Sequence, residues 1–294
     1  MDKIKDFRIV FAVFFISITG YIGCTNPPPK PPPTKPINVI VILDTSDRIS
    51  KDKNPHQAGK DIAIAEGIVN LFEEKLVRPE LYINYPHRLA FVVPEQIGVD
   101  PIPLNITEDT GGGAPQFKKK KTELLKEIRH LYASVEKQGK FTGSDIWDWF
   151  RGNAEAYLQQ DALNYIICVS DGYLDFDSDI QKNRPRRGNK TTFMRVAKFH
   201  NNPNWEKKFA NEEHGLLEIG KDFSRYKVKF LMVEIKLRHI LDRPILEKYW
   251  QTWLVSMGIT HSEFWEDQND PDIVIGKIKE FILPKKQSKT GTPK

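Results

Sequence analysis

Asn38-Val39-Ile40-Val41-Ile42-Leu43 is a continuous apolar, largely β-branched run that stops at an acid, Asp44. The same theme returns far downstream in Tyr165-Ile166-Ile167-Cys168-Val169-Ser170-Asp171-Gly172. A strand with one face in water alternates apolar and polar residues. An unbroken run therefore marks a strand buried on both faces, which is the situation inside a parallel sheet. Two such runs constrain the fold more tightly than any other feature of this chain.

The remaining pattern supplies the layers on either side. Helical spacing predicts helices over Asp61–Leu76 (Ile62, Ala65, Ile68, Val69 and Phe72 on one face) and Thr122–Val135 (Leu124, Leu125, Ile128, Leu131 and Tyr132). Further helices are predicted at Asp145–Leu158, which Gly152 weakens, at Pro244–Met257 and at Asp272–Leu283. Arg88–Val93 and Lys227–Ile235 read as strands, and Ser262–Trp265 as a short edge strand. Strands alternating with helices predict an α/β three-layer sandwich: a mainly parallel central sheet, Rossmann-like, with helices on both faces. Polar residues just past the carboxyl ends of such strands line one crevice.

Three segments then converge by expectation. Asp44-Thr45-Ser46-Asp47-Arg48 follows the opening strand, Thr142-Gly143-Ser144-Asp145-Ile146 leads into a helix, and Ser170-Asp171-Gly172 follows the central strand. Hydroxyls and carboxylates at one rim form an oxygen-only environment that suits Mg²⁺ or Ca²⁺. With no His or Cys among them, they offer little to zinc or copper.

In order, spacing and flanks these segments resemble the metal-ion-dependent adhesion site of von Willebrand factor type A domains. That site is written Asp-x-Ser-x-Ser after the first strand, then a Gly-Thr-Asp-like loop, then Asp-Gly after the fourth strand. Asp44 and Ser46 match the first two places, Ser144 keeps the hydroxyl where the family has Thr, Asp145 matches the acid beside it, and Asp171-Gly172 matches the last element. The resemblance covers roughly residues 38 to 283 and implies metal ligation by Asp44, Ser46, Ser144 and Asp171, with Arg48 and Asp145 immediately around them. Arg48 stands where the family has its second serine, and a guanidinium cannot ligate a cation. Turned inward, it would disfavour the ion or replace it by pairing with Asp44 or Asp171; turned to solvent, it would leave a place for water. In the family the ion takes its last ligand from an acidic residue of a partner, so the resemblance implies a domain that binds and does not catalyse.

Residues ahead of this domain point to the cell envelope. Lys3, Lys5 and Arg8 precede an apolar stretch from Ile9 to Ile22, the layout of a secretory signal. About 14 residues is short for a helix crossing ~30 Å of hydrocarbon. Tyr21-Ile22-Gly23-Cys24 resembles the bacterial lipoprotein cleavage box, with Tyr21 where Leu is usual and Gly23 as the small residue before the cut. The resemblance implies that Cys24 carries lipid, which would anchor the chain to the cell membrane or outer membrane with its domain outside the cytoplasm. The TNPPPKPPPTKP segment that follows favours extended polyproline II and would span roughly 35–40 Å at ~3.1 Å per residue. The expected organisation is a signal peptide over 1–23, the lipidated cysteine and proline-rich linker over 24–37, the domain over 38–284, and a disordered tail over 285–294. The expected partner is another envelope protein that offers an acidic side chain.

Other signals are weaker. A net charge of +5 without a basic stripe interleaved with aromatics gives no footprint for nucleic acid. Lys118 to Lys121 read as the solvated start of a helix. Asp175-Phe176-Asp177-Ser178-Asp179 begins like a calcium loop, but Ile180 and Arg186 stand where Gly and Glu are required. Gly111-Gly112-Gly113 lacks phosphate-loop spacing. The stretch from Lys182 through the polar run to Lys208 reads as an inserted surface segment, and the seven histidines show no ligand spacing. Trp147 and Trp149 read as packing residues, and Cys168 as a small core residue. A metal-dependent phosphohydrolase on a similar sheet is the competing reading, although Ser46 removes the second carboxylate of its Asp-x-Asp opening.

Overall fold

The computed structural model describes residues 35–77, 87–94, 103–105, 114–139, 141, 143–174 and 188–283. Cys24 with its leader and linker, Gly111 to Gly113, Thr142, Asp175 to Asp179, Lys182 to Arg187 and the tail lie outside them.

The protein is the expected α/β three-layer sandwich. Its strands are β1 (Ile37–Leu43), β2 (Arg88–Val92), β3 (Pro103–Asn105), β4 (Leu163–Val169), the short β5 (Lys190–Thr191) and β6 (Gly215–Leu216), β7 (Val228–Ile235) and β8 (His261–Glu266). Six of them form the central sheet in the order β3-β2-β1-β4-β7-β8. All neighbours in it are parallel except β2 and the edge strand β3. β5 and β6 pair separately, also in parallel.

The unbroken run of β1 is explained by its two faces. Val39, Val41 and Leu43 enter one core cluster, and Ile40 and Ile42 the other. Every residue of β1 is buried. β4 divides in the same way, with Tyr165, Ile167 and Val169 on one face and Ile166 and Cys168 on the other. Each fully buried aliphatic side chain of this kind contributes roughly 1.5–3 kcal/mol.

Helices α1 (Gln57–Phe72), α2 (Ala114–Gln138) and α7 (Pro271–Ile282) supply the layer over Val39 and Leu43. α1 and α7 approach so closely that a Cβ on Gly67 would lie 2.1 Å from Cδ1 of Ile275. The opposite layer contains α3 (Ile146–Gly152), the single turn α4 (Ala154–Tyr157), α5 (Trp205–Asn211) and α6 (Asp242–Ser256). The predicted Asp145–Leu158 helix is interrupted at Asn153, directly after Gly152. In this layer Trp147, Trp149, Phe150, Trp250 and Trp253 are all buried, as read for the first two.

Two expectations need correction. The polar run to Lys208 is no surface insertion: Phe193, Met194, Val196 and Phe199 within it are buried, and so is Phe209 directly after it. The lysine run does not open its helix either, because α2 starts at Ala114.

β7 carries an irregularity near its end. The register with β8 shifts between Met232 and Ile235, and Glu234 has a φ of 72°, in the left-handed region. Val233 faces the α1 layer and Ile235 the α6 layer, so Glu234 is the extra residue of a bulge. Glu234 is nevertheless buried, with Lys60 of α1 at 2.5 Å from Oε2.

Candidate functional site

The order β2-β1-β4-β7 reverses direction between β1 and β4, and in open parallel sheets ligands bind outside the carboxyl ends of the strands at that point. Asp44 and Asp171 emerge there. The Asp44 amide donates to the Val169 carbonyl at 3.1 Å, fastening the turn after β1 to the end of β4. Asp44 Oδ1 accepts from the Ser46 amide at 2.9 Å, and Oδ2 accepts from Ser170 Oγ at 2.7 Å. Ser170, which sequence reasoning did not assign to the site, thus holds the Asp44 carboxylate and also accepts from the Gly172 amide at 3.1 Å. Gly172 turns the chain with a φ of 93°, a conformation that suits glycine, and its carbonyl accepts from Trp250 Nε1 at 2.8 Å.

Asp171 Oδ1 accepts from the Tyr173 amide at 3.1 Å, and Arg238 Nη2 lies 3.3 Å from Oδ2. Burial and, after it, the charge of Asp44 push the Asp171 carboxyl up to about 7, against the opposing pull of Arg238. A carboxyl raised by burial and by a neighbouring acid in this way lacks a full positive complement.

Arg48 does turn inward, but it engages a third acid. Its Nη1 and Nη2 fork onto Oδ2 and Oδ1 of Asp61 in α1 at 2.5 and 3.1 Å, and Nη1 also donates to the Asp44 carbonyl at 3.1 Å. Burial works to lower the guanidinium pKa, but Asp61 and Asp44 more than offset it, so the group stays charged. Gln57 and Tyr132 donate to the same Asp61 carboxylate. The positive charge introduced by Arg48 is thereby committed to Asp61 and not to the side chains of Asp44 or Asp171.

The third segment lies ahead of α3, whose Ile146 packs in the same cluster as Ile42 and Cys168. Asp145 caps α3 by accepting from the Asp148 amide at 2.9 Å. Ser144 is buried, and among the described residues its Oγ has no hydrogen-bond partner. A buried hydroxyl left unpaired costs about 1–3 kcal/mol unless a ligand takes it up. Asp44, Ser46, Ser144 and Asp171 are all hard oxygen donors, the chemistry that Mg²⁺ or Ca²⁺ prefers. A cavity of about 390 Å³ lies beside Asp171, and Lys53, Lys236 and Arg238 are among its lining residues.

Among the described residues, one group of three His, Cys, Asp or Glu side chains stands close enough to hold a metal ion: His200, His239 and Asp242, with ligand atoms within 4.8 Å of one another. The scattered histidines concealed it. His239 and Asp242 are three residues apart at the start of α6, but His200 comes from the segment read as surface, so no linear spacing could reveal the set.

No family model matches this sequence, and neither does any curated protein. Among solved structures, the chain is similar to the pilus adhesin SpaC from Lactobacillus rhamnosus GG, at 13% identity and a TM-score of 0.41 over 85% of this chain. It spans 30% of that adhesin's length. It is also similar to the TFIIH p34 N-terminal domain, at 11% identity and a TM-score of 0.29, over 83% of this chain and 96% of that one.

Proposed function

We propose that this protein is a membrane-tethered binding module of the von Willebrand factor type A kind, lipid-anchored through Cys24 at the cell envelope. Asp44, Ser46, Ser144 and Asp171 would hold Mg²⁺ or Ca²⁺, directly or through water, and the ion would bind an acidic side chain of a partner protein. The unpartnered Ser144 Oγ carries this reading, because a buried oxygen without a donor is what a cation site leaves behind. The placement of Asp44 and Asp171 at the strand-order reversal supports it.

The test is the melting temperature in EDTA and at millimolar Mg²⁺ or Ca²⁺. A ligand that binds only the folded state raises stability by RT ln(1 + [L]/Kd), about 2.7 kcal/mol at a hundredfold excess over Kd. The increment should vanish in Asp44→Ala. No increment in the unaltered protein removes the metal from the proposal.

A further inference from the structure

We propose that His200, His239 and Asp242 form a second metal site, separate from the Asp44 cluster, that takes a borderline transition ion of the Zn²⁺ type. Two imidazoles and one carboxylate are the donor set that such ions prefer over Mg²⁺ or Ca²⁺. His200 Nε2 lies 2.5 Å from Asp242 Oδ1, and the two imidazole rings stack with centroids 4.3 Å apart and planes inclined by 19°. Zinc with nitrogen and oxygen ligands at about 2.0–2.2 Å needs ligand atoms roughly 3.3 Å apart in a tetrahedron. Binding would lengthen the His200–Asp242 hydrogen bond and bring the ligand atoms, now within 4.8 Å of one another, to that common spacing.

The carboxylate is already oriented for this. Asp242 is 2% exposed, and its Oδ2 accepts from the Tyr173 hydroxyl and from the His239 amide at 2.9 Å. Oδ1 is thereby left facing His200, and second-shell support of this kind is what fixes ligands at metal centres. His239 Nδ1 accepts from the Leu241 amide at 3.1 Å. A neutral imidazole ligating through either nitrogen can no longer accept there, so binding transfers one exposed backbone donor to water, a small cost. Of the cations that line the adjoining cavity, Arg238 faces Asp171, Lys198 Nζ lies 3.2 Å from His214 Nε2, and the Arg195 guanidinium lies over the Phe193 ring at 5.1 Å. A cavity of about 450 Å³ adjoins the cluster and leaves room for water or an anionic group at the remaining coordination position.

The test titrates Zn²⁺ into the full-length chain, prepared without a polyhistidine tag, in competition with a chromophoric chelator. One equivalent should bind with micromolar or tighter affinity and should not be displaced by millimolar Mg²⁺. Loss of a second-shell partner costs 10–100-fold at such centres, and loss of a ligand should cost at least as much. His200→Ala and His239→Ala should therefore each weaken binding at least about tenfold. Both side chains are partly exposed, so these variants should fold, which circular dichroism checks. Asp44→Ala should leave Zn²⁺ affinity unchanged, which separates this site from the one under Proposed function. Absence of binding at micromolar Zn²⁺, or full affinity in both histidine variants, overturns the assignment.

Discussion

Arg48 and Asp61 form a two-pronged ion pair with side chains 4% and 0% exposed, joining the turn after β1 to the second turn of α1. Removing one partner of such a pair leaves an uncompensated buried charge, at about 3–5 kcal/mol. Arg48→Ala should therefore lose that much in urea unfolding. The paired change Arg48→Met with Asp61→Leu should recover most of the loss, because both charges then leave together. Equal losses in the single and the paired variant would contradict this account.

Ser144→Ala separates ligand from fold. Its Oγ forms no hydrogen bond, so deleting it in EDTA should leave stability unchanged or raise it by up to about 1 kcal/mol. The same variant should lose part or all of the Mg²⁺-dependent gain in melting temperature. A large loss of stability in EDTA would mean that the hydroxyl serves the fold.

Glu234 supplies a pH dependence. Burial raises its carboxyl pKa, against the opposing pull of Lys60. A carboxyl raised on folding contributes stability that is fully present below its unfolded pKa of about 4.3 and is lost as pH rises through the higher folded value. Glu234→Gln removes the titration and keeps the shape. The variant should gain stability relative to the parent between pH 4 and pH 8, measured by denaturant unfolding across that range. A flat difference would place the cost of this residue in its backbone geometry.

Gly67→Ala sets two effects against each other. The added methyl would lie 2.1 Å from Cδ1 and 2.5 Å from Cγ1 of Ile275. Overpacking costs about 1–3 kcal/mol, and alanine returns about 1 kcal/mol of helix propensity. A net loss is expected in thermal unfolding. Part of it should be cancelled in a double variant with Ile275→Ala, read as a favourable coupling in the mutant cycle.

Periodicity carried the sheet. β1 and β4 are legible because burial on both faces leaves no polar alternation beyond Asn38 and Asn164 near their starts, and both end within a residue or two of the predicted position. The Asp145–Leu158 helix is legible only in part, since Gly152 and Asn153 break it while Trp147, Trp149 and Phe150 before the break and Ala154 and Leu158 after it still bury. Between positions 188 and 217, Phe199 and Phe209 lie among lysines and asparagines, and composition there outweighs the few large side chains that decide the packing. Asp44 and Asp171 were visible because strand ends announce themselves. Ser170 stands in the same segment without a local mark, since its role is to hold another side chain. The turn of Arg48 toward Asp61 depends on how α1 is set against the sheet, and that distance is not written in the local sequence.

The extra residue in β7 is absorbed where it stands. Val233 and Ile235 face opposite layers although they are two apart, and the pairing with β8 resumes at Ile235 and Glu266. Deleting this one codon would set Ile235 next to Val233 in strict alternation, still facing the α6 layer. What would be lost is the buried carboxylate that meets Lys60. A strained glutamate thus ties α1 to the sheet by a charge, at a place where the strand itself has no use for the residue.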